Sequence, residues 1–205
     1  MKKITYILLL SIFTISLIPY SAYAISERTL SKRIKQLDND TIDNISIPVV
    51  LGVTMRDLND TWGDARSGGR THEGIDIFAV RGAIIATPTE AVVTKITNQG
   101  LGGVQVWTAN PGNESFYYAH LSSVFPKLEV GDILDSGDII GFVGNTGNAS
   151  GASPHLHLGI YTDTGPINPY ERIDSEFSKK QRIKILTNYL EYLQDELEKA
   201  KRREK

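Results

Sequence analysis

The chain contains no cysteine and only four histidines among its 205 residues. Without cysteine it can form neither a disulfide framework nor the lipid anchor of a lipoprotein, so its stability must come from an ordinary hydrophobic core. Lysine is absent between Lys127 and Lys179, which excludes a biotin or lipoate carrier, because a carrier needs a lysine at a hairpin tip. The formal net charge of −2 gives no indication of nucleic-acid binding.

The first 24 residues have the composition of a secretory signal. Lys2 and Lys3 precede an apolar run over residues 4–19, and the AYA at 22–24 has the small-x-small form of a cleavage site. The run is shorter than the roughly 20 residues that span a bilayer, so an uncleaved anchor is the weaker alternative. We expect export, no stable membrane span after cleavage, and a location in the periplasm or cell envelope.

Three segments follow the signal. Residues 25–46 are polar, with apolar residues at helical spacing, and predict a short helical lead-in or linker that could lie over a groove and inhibit it. Residues 47–171 combine apolar alternation, glycines and repeated turn signals, which is typical of a β domain. Residues 172–205 predict an amphipathic basic helix, with nine basic and five acidic residues from Lys179 onward.

The C-terminal segment carries a heptad seam. Its apolar residues recur at spacings of 3-4-3-4-3, at Ile183, Leu186, Leu190, Leu193, Leu197 and Ala200. The seam is shorter than the three or four heptads typical of a coiled coil. Packing on the β domain and pairing with a partner are both open on the sequence alone.

Two of the four histidines lie one residue apart, in SPHLHLGIY at 153–161. Side chains at i and i+2 on a strand share a face, so His155 and His157 are expected to converge on one site, while the apolar residues between and after them face the core. A single strand histidine is as often a structural group as a ligand. The positions of the other two histidines therefore matter.

His72 and Asp76 lie four residues apart in RTHEGIDIFAV. The isoleucines of this stretch favour an extended segment, and the two polar side chains can share a face. A carboxylate between two isoleucines is costly to bury without a partner, so Arg66, Arg70 or a cation must neutralise it. The fourth histidine, His120, lies in the β-rich stretch FYYAHLS.

A zinc site for hydrolysis takes three protein ligands from His, Asp, Glu or Cys and keeps a fourth position for water. His72 and Asp76 with one histidine of the later strand meet that requirement. The two remaining histidines then have roles in proton transfer or in stabilising an oxyanion. We assign no catalytic role to Glu73, because the second histidine of an HExxH motif is replaced here by Asp76.

The motifs, in this order, resemble those of the lysostaphin-type (LytM, M23) zinc peptidases over about residues 47–170. HEGID at 72–76, YAHL at 118–121 and PHLHLGI at 154–160 carry the resemblance. TWGDARSGGR at 61–70, VRGAIIAT at 80–87 and VGDILDSGDIIGFVGNTG at 130–147 are also similar. Each motif alone is weak, but all of them in one order at family-like spacing are specific.

The resemblance implies that His72, Asp76 and His157 are zinc (Zn2+) ligands and that His120 and His155 are the catalytic pair. It implies a mainly β fold, with a curved antiparallel β-sheet that carries the metal on the floor of a groove, here followed by a C-terminal α-helix. Leu158 stands where the family commonly has an aromatic residue.

The family's substrate is peptidoglycan, and we expect a zinc-dependent endopeptidase that hydrolyses its peptide crosslinks, with D,D specificity. The alternative is a non-hydrolytic LytM-type regulator that activates cell-wall amidases. In either case the C-terminal helix is a candidate contact for an envelope protein partner. No metal ligand is missing from the motifs, which favours the enzyme.

Overall fold

The computed structural model describes residues 25–203, so the signal-like segment lies outside the described residues. Within them no helix is both long enough and apolar enough to cross a membrane. The two α-helices among residues 25–203 are α1 (Glu27–Ile34) and α2 (Lys179–Arg203). The strands are β1 (Ile45–Ser46), β2 (Ala65–Arg66), β3 (Arg70–Thr71), β4 (Ile75–Phe78), β5 (Ile84–Ala86), β6 (Ala91–Asn98), β7 (Val104–Asn110), β8 (Glu114–Leu121), β9 (Ser123–Val124), β10 (Ile133–Leu134), β11 (Ile139–Phe142), β12 (His155–Thr162), β13 (Gly165–Ile167) and β14 (Ile173–Ser175).

A seven-stranded sheet forms the centre of the protein. Its strands run in the order β10-β6-β7-β8-β12-β13, and β4 pairs with β12 beside them. Every pairing in this sheet is antiparallel. A smaller sheet of β5, β11 and β9 packs with it, and a parallel β1–β14 pair joins the two ends of the domain. The predicted mainly β, antiparallel fold with a C-terminal helix is confirmed.

The alternation of histidines and apolar residues along β12 determines which face of the sheet packs on the core and which face carries the histidines. Leu156, Leu158 and Ile160 are fully buried and join the core with Ile75 and Ile77 of β4. Burying each such side chain contributes about 1.5–3 kcal/mol, and a slip of one residue would expose all of them. The core therefore holds the histidines of β12 on the opposite face.

The N-terminal segment does not cover the groove. Helix α1 begins after Ser26, whose hydroxyl caps the backbone N–H of Thr29, and it packs against β6. Arg33 of this helix donates to the backbone carbonyl of Gly131. No residue between 25 and 45 lines the cleft that holds the histidines. The sequence left open whether this segment covers the groove, and in the structure contacts with β6 hold the helix elsewhere.

Helix α2 packs on the β domain through a face other than its heptad seam. Ile185 is 2% exposed, Tyr189 contacts Phe142, and Tyr192 contacts Phe125 edge to face. The seam lies on the outer side of the helix. Four of its five large members are 43–57% exposed, at Ile183, Leu190, Leu193 and Leu197, and Leu186 is half-buried.

Candidate metal centre

Strand pairing brings the ends of the first and last motifs together. β4 and β12 pair so that Asp76 lies directly opposite His157, while His72 comes just before β4. Nε2 of His72 lies 2.8 Å from Nδ1 of His157 and 3.1 Å from Oδ1 of Asp76. Nδ1 of His157 and Oδ1 of Asp76 are 3.3 Å apart. Ligand atoms about 2.0–2.1 Å from a tetrahedral zinc are roughly 3.3 Å from one another. The separations and chemistry of these three donors thus fit zinc.

Thr61 orients both ends of the HxxxD motif. Its backbone carbonyl oxygen lies 2.7 Å from Nδ1 of His72, and its hydroxyl accepts a 3.0 Å hydrogen bond from the backbone N–H of Asp76. With Nδ1 as the donor, Nε2 of His72 presents its lone pair to the site. No local pattern in the sequence marks Thr61 as part of the site, although it is the first residue of the TWGD motif.

The two carboxylate oxygens of Asp76 have different partners. Oδ1 faces the histidines, whereas Oδ2 accepts a 2.6 Å hydrogen bond from Arg66; the other candidate, Arg70, bonds to Ser67. Burial opposes ionisation of Asp76. Hydrogen bonds with His157 and His72 outweigh it and hold the pKa of this carboxyl well below its usual range. The carboxylate is therefore ionised at neutral pH, as a metal ligand must be.

The other two histidines lie beside this donor group. Nδ1 of His120 is 2.9 Å from the Thr146 carbonyl oxygen, and Nδ1 of His155 is 2.8 Å from that of Ser153. Each ring thereby keeps Nε2 as its free acceptor. The two ring centroids are 5.0 Å apart, and Nε2 of His155 lies 3.8 Å from Oδ1 of Asp76.

His120 has an unusual backbone and an unusual titration. Its φ is 62°, in the left-handed region where a non-glycine residue is strained. Burial, together with the nearby His155 and His157, lowers its pKa to about 4. The imidazole is therefore neutral near pH 7 and can accept a proton. Burial likewise lowers the pKa of His157.

All five predicted residues thus meet in one place, although their individual roles remain predictions. They line a cleft of about 700 Å³. Glu73 lies exposed at its edge, outside the converging donor group, and Phe78, 51% exposed, contacts His155. The cleft leaves room for an extended chain across the donor group.

An aromatic patch, Trp107, Tyr117 and Tyr161, adjoins the cleft, which Tyr117 and Tyr161 line. Tyr117 meets His157 edge to face at 5.5 Å, and Trp107 stacks on Tyr117 at 4.2 Å. The ring of Tyr161 lies 5.3 Å from that of Trp107. The patch could not be predicted from the sequence, because the alternation within each strand is a local pattern but the register between strands is not.

Residues 70–169 match the family model described as peptidase family M23. The chain therefore contains a peptidase family M23 domain, with relatives of the lysostaphin type. Its relatives include an L-Ala–D-Glu endopeptidase of Bacillus subtilis, 35% identical over 59% of this chain and 42% of that protein. Another is the DD-carboxypeptidase/endopeptidase Mpg of Neisseria meningitidis, 34% identical over 58% of this chain and 25% of that protein.

A comparison of folds finds solved structures similar to this one. The structure of Helicobacter pylori Csd3 has a TM-score of 0.52 and 27% identity, covering 77% of this chain and 43% of that one. A zinc-containing peptidase from Vibrio cholerae has a TM-score of 0.51 at 19% identity, over 64% and 40% of the two chains; this likeness shows the fold alone. The chain spans less than half the length of these relatives.

Proposed function

We propose that this protein is a zinc-dependent endopeptidase that hydrolyses peptide crosslinks of bacterial peptidoglycan, with D,D specificity. The observation that carries the proposal is the convergence of His72, Asp76 and His157, with two further imidazoles beside them, in an open cleft. The M23 domain and its endopeptidase relatives support the same reaction class.

His72, Asp76 and His157 would hold the metal. When bound, zinc supplies Lewis-acid chemistry, because it polarises a carbonyl oxygen and makes water more acidic. Arg66 and Thr61 keep the donor atoms aimed at one point, since they bind the outer oxygen of Asp76 and the outer nitrogen of His72. Such outer contacts tune metal sites.

His120 and His155 would move protons. The Nδ1 atoms of both are held by backbone carbonyls, so Nε2 of either ring can accept a proton from the attacking water and return it to the leaving amine. A protonated Nε2 also donates to an oxyanion. The pH dependence of turnover in variants of His120 and of His155 would show which ring accepts the proton and which donates it.

The first test is digestion of purified sacculi by residues 25–205, with and without a chelator, followed by mass spectrometry of the products. Loss of crosslinked dimers that the chelator prevents would support the proposal, and the product masses would identify the bond. Intact dimers from a zinc-loaded protein would refute an autonomous hydrolase.

Two variants separate binding from catalysis. His157→Ala should lose stoichiometric zinc. His120→Asn should keep zinc and lose about 10²–10⁴-fold in turnover, the range of general acid–base catalysis. Asparagine suits the test, because it tolerates the left-handed backbone at this position. Near-normal turnover of His120→Asn would contradict its role.

The exposed seam of α2 favours a second candidate function, a non-hydrolytic regulator that activates cell-wall amidases. The seam would then bind an envelope protein partner. A regulator has no need of stoichiometric zinc, so metal content discriminates between the two. Replacing Leu190 and Leu197 on the exposed seam by glutamate would remove recruitment and spare hydrolysis if the seam binds such a partner, because Ile185 still anchors the helix on the β domain. We also propose that residues 1–24 direct export, so that either activity takes place in the periplasm or cell envelope.

A further inference from the structure

The aromatic patch is built into the sheet. Trp107 lies directly opposite Tyr117 on the neighbouring strand, and Tyr117 lies opposite Gly159. A Cβ atom at Gly159 would lie 2.9 Å from a ring atom of Tyr161, so the missing side chain makes room for that ring. The three rings occupy the same face of the sheet as His157.

Polar contacts hold the indole ring of Trp107 in place. The indole N–H of Trp107 donates to Oε1 of Gln105 at 3.3 Å, and the amide of Gln105, itself 8% exposed, donates to the Gln99 carbonyl at 2.6 Å. Burial and the neighbouring Tyr161 raise the pKa of Tyr117 to about 12, which keeps its hydroxyl protonated. The patch remains partly exposed, at Trp107, Tyr117 and Tyr161.

We propose that the aromatic patch is a saccharide subsite, which binds a pyranose ring of the glycan that carries the peptide substrate. The identity of this ligand rests on the proposed function. Peptide stems of peptidoglycan carry methyl groups or charged groups and offer no large apolar side chain. A pyranose ring offers a face of C–H groups, which suits the negative face of an aromatic ring.

Strand pairing excludes the binding of a peptide as an added β-strand at the aromatic patch. β7, β8 and β12 each have a partner on both sides, so the patch has no free strand edge to which a peptide could add. Recognition there must use side chains.

The position of the patch fits the length of a peptide stem. The ring of Tyr117 lies 4.2 Å from that of Trp107 and 5.5 Å from that of His157. The Trp107 ring therefore lies within about 10 Å of the His157 ring, the length of roughly three extended residues. A sugar on the outer part of the patch would lie within the reach of a stem of about three extended residues from the metal centre.

The kinetic test compares a crosslinked muropeptide dimer that carries its disaccharides with the same dimer after an amidase has removed the sugars. The wild-type protein should show a kcat/KM about tenfold higher for the sugar-bearing dimer, mostly through KM, which is the scale of one aromatic contact. In Trp107→Ala the ratio should fall to about one, in Trp107→Phe it should fall only partly, and in Tyr170→Ala, an exposed aromatic outside the cleft, it should persist. A wild-type ratio of one, or equal losses on both dimers in Trp107→Ala, would overturn the saccharide subsite.

A second test measures saccharide binding without requiring catalysis. In Trp62→Phe, Trp107 is the only tryptophan left, so its emission reports on the patch. Titration of this variant with an N-acetylglucosamine tetrasaccharide should give a saturable change in emission, and an unchanged emission would overturn the proposal. If the wild-type protein cleaves neither dimer but this titration saturates, the proposed function fails and the subsite stands.

Discussion

Acidification of the metal-free protein should destabilise it through His120. The folded state lowers the pKa of this imidazole to about 4, whereas an unfolded chain has a histidine pKa near 6.5. As pH falls, the unfolded state takes up the proton first, so this contribution to stability is present above about pH 6.5 and lost towards pH 4. Between pH 7 and pH 4.5 the loss is about 2.5 kcal/mol.

The assay is urea unfolding of chelator-treated protein at both pH values, for the wild type and for His120→Asn. The variant keeps a residue that tolerates the backbone conformation and removes the titrating ring, so it should lose about 2.5 kcal/mol less than the wild type over this interval. Titrating groups that do not contact His120 contribute to both proteins and cancel in the difference. Equal losses in the two proteins would refute the reasoning.

Three further results are expected. Asp76→Asn should lower zinc occupancy, measured by elemental analysis, because it removes the anionic ligand; full occupancy would contradict the assigned ligand. Ile185→Ala should cost about 2–5 kcal/mol in urea unfolding, whereas Leu190→Ala on the exposed seam should change stability by under about 0.5 kcal/mol, and equal effects would show that α2 docks differently. Gly147→Ala should cost more than Gly151→Ala in thermal unfolding, because both have positive φ but only the first would overlap neighbouring backbone; a reversed order would refute this.

The sequence motifs predicted some features of the site but not others. The spacing of His155 and His157 predicted a shared face, which β12 confirms. The local motifs marked His72 and Asp76 as candidate ligands, whereas the choice of His157 over His155 came from the family resemblance. The choice of Arg66 over Arg70 as the partner of Asp76 could not be made, because both are near Asp76 in the sequence.

The amino-acid sequence by itself determined the β character of the domain, the buried and chemical faces of its strands, and the presence of the C-terminal helix. These follow from alternation and helical spacing, which are local properties of the chain. Only the tertiary structure decided that Asp76 lies opposite His157, that α2 docks through Ile185 and leaves its leucine seam exposed, and that Trp107 stacks beside the cleft. Strand register and the docked face of a helix depend on contacts between residues far apart in the chain, which no local pattern specifies.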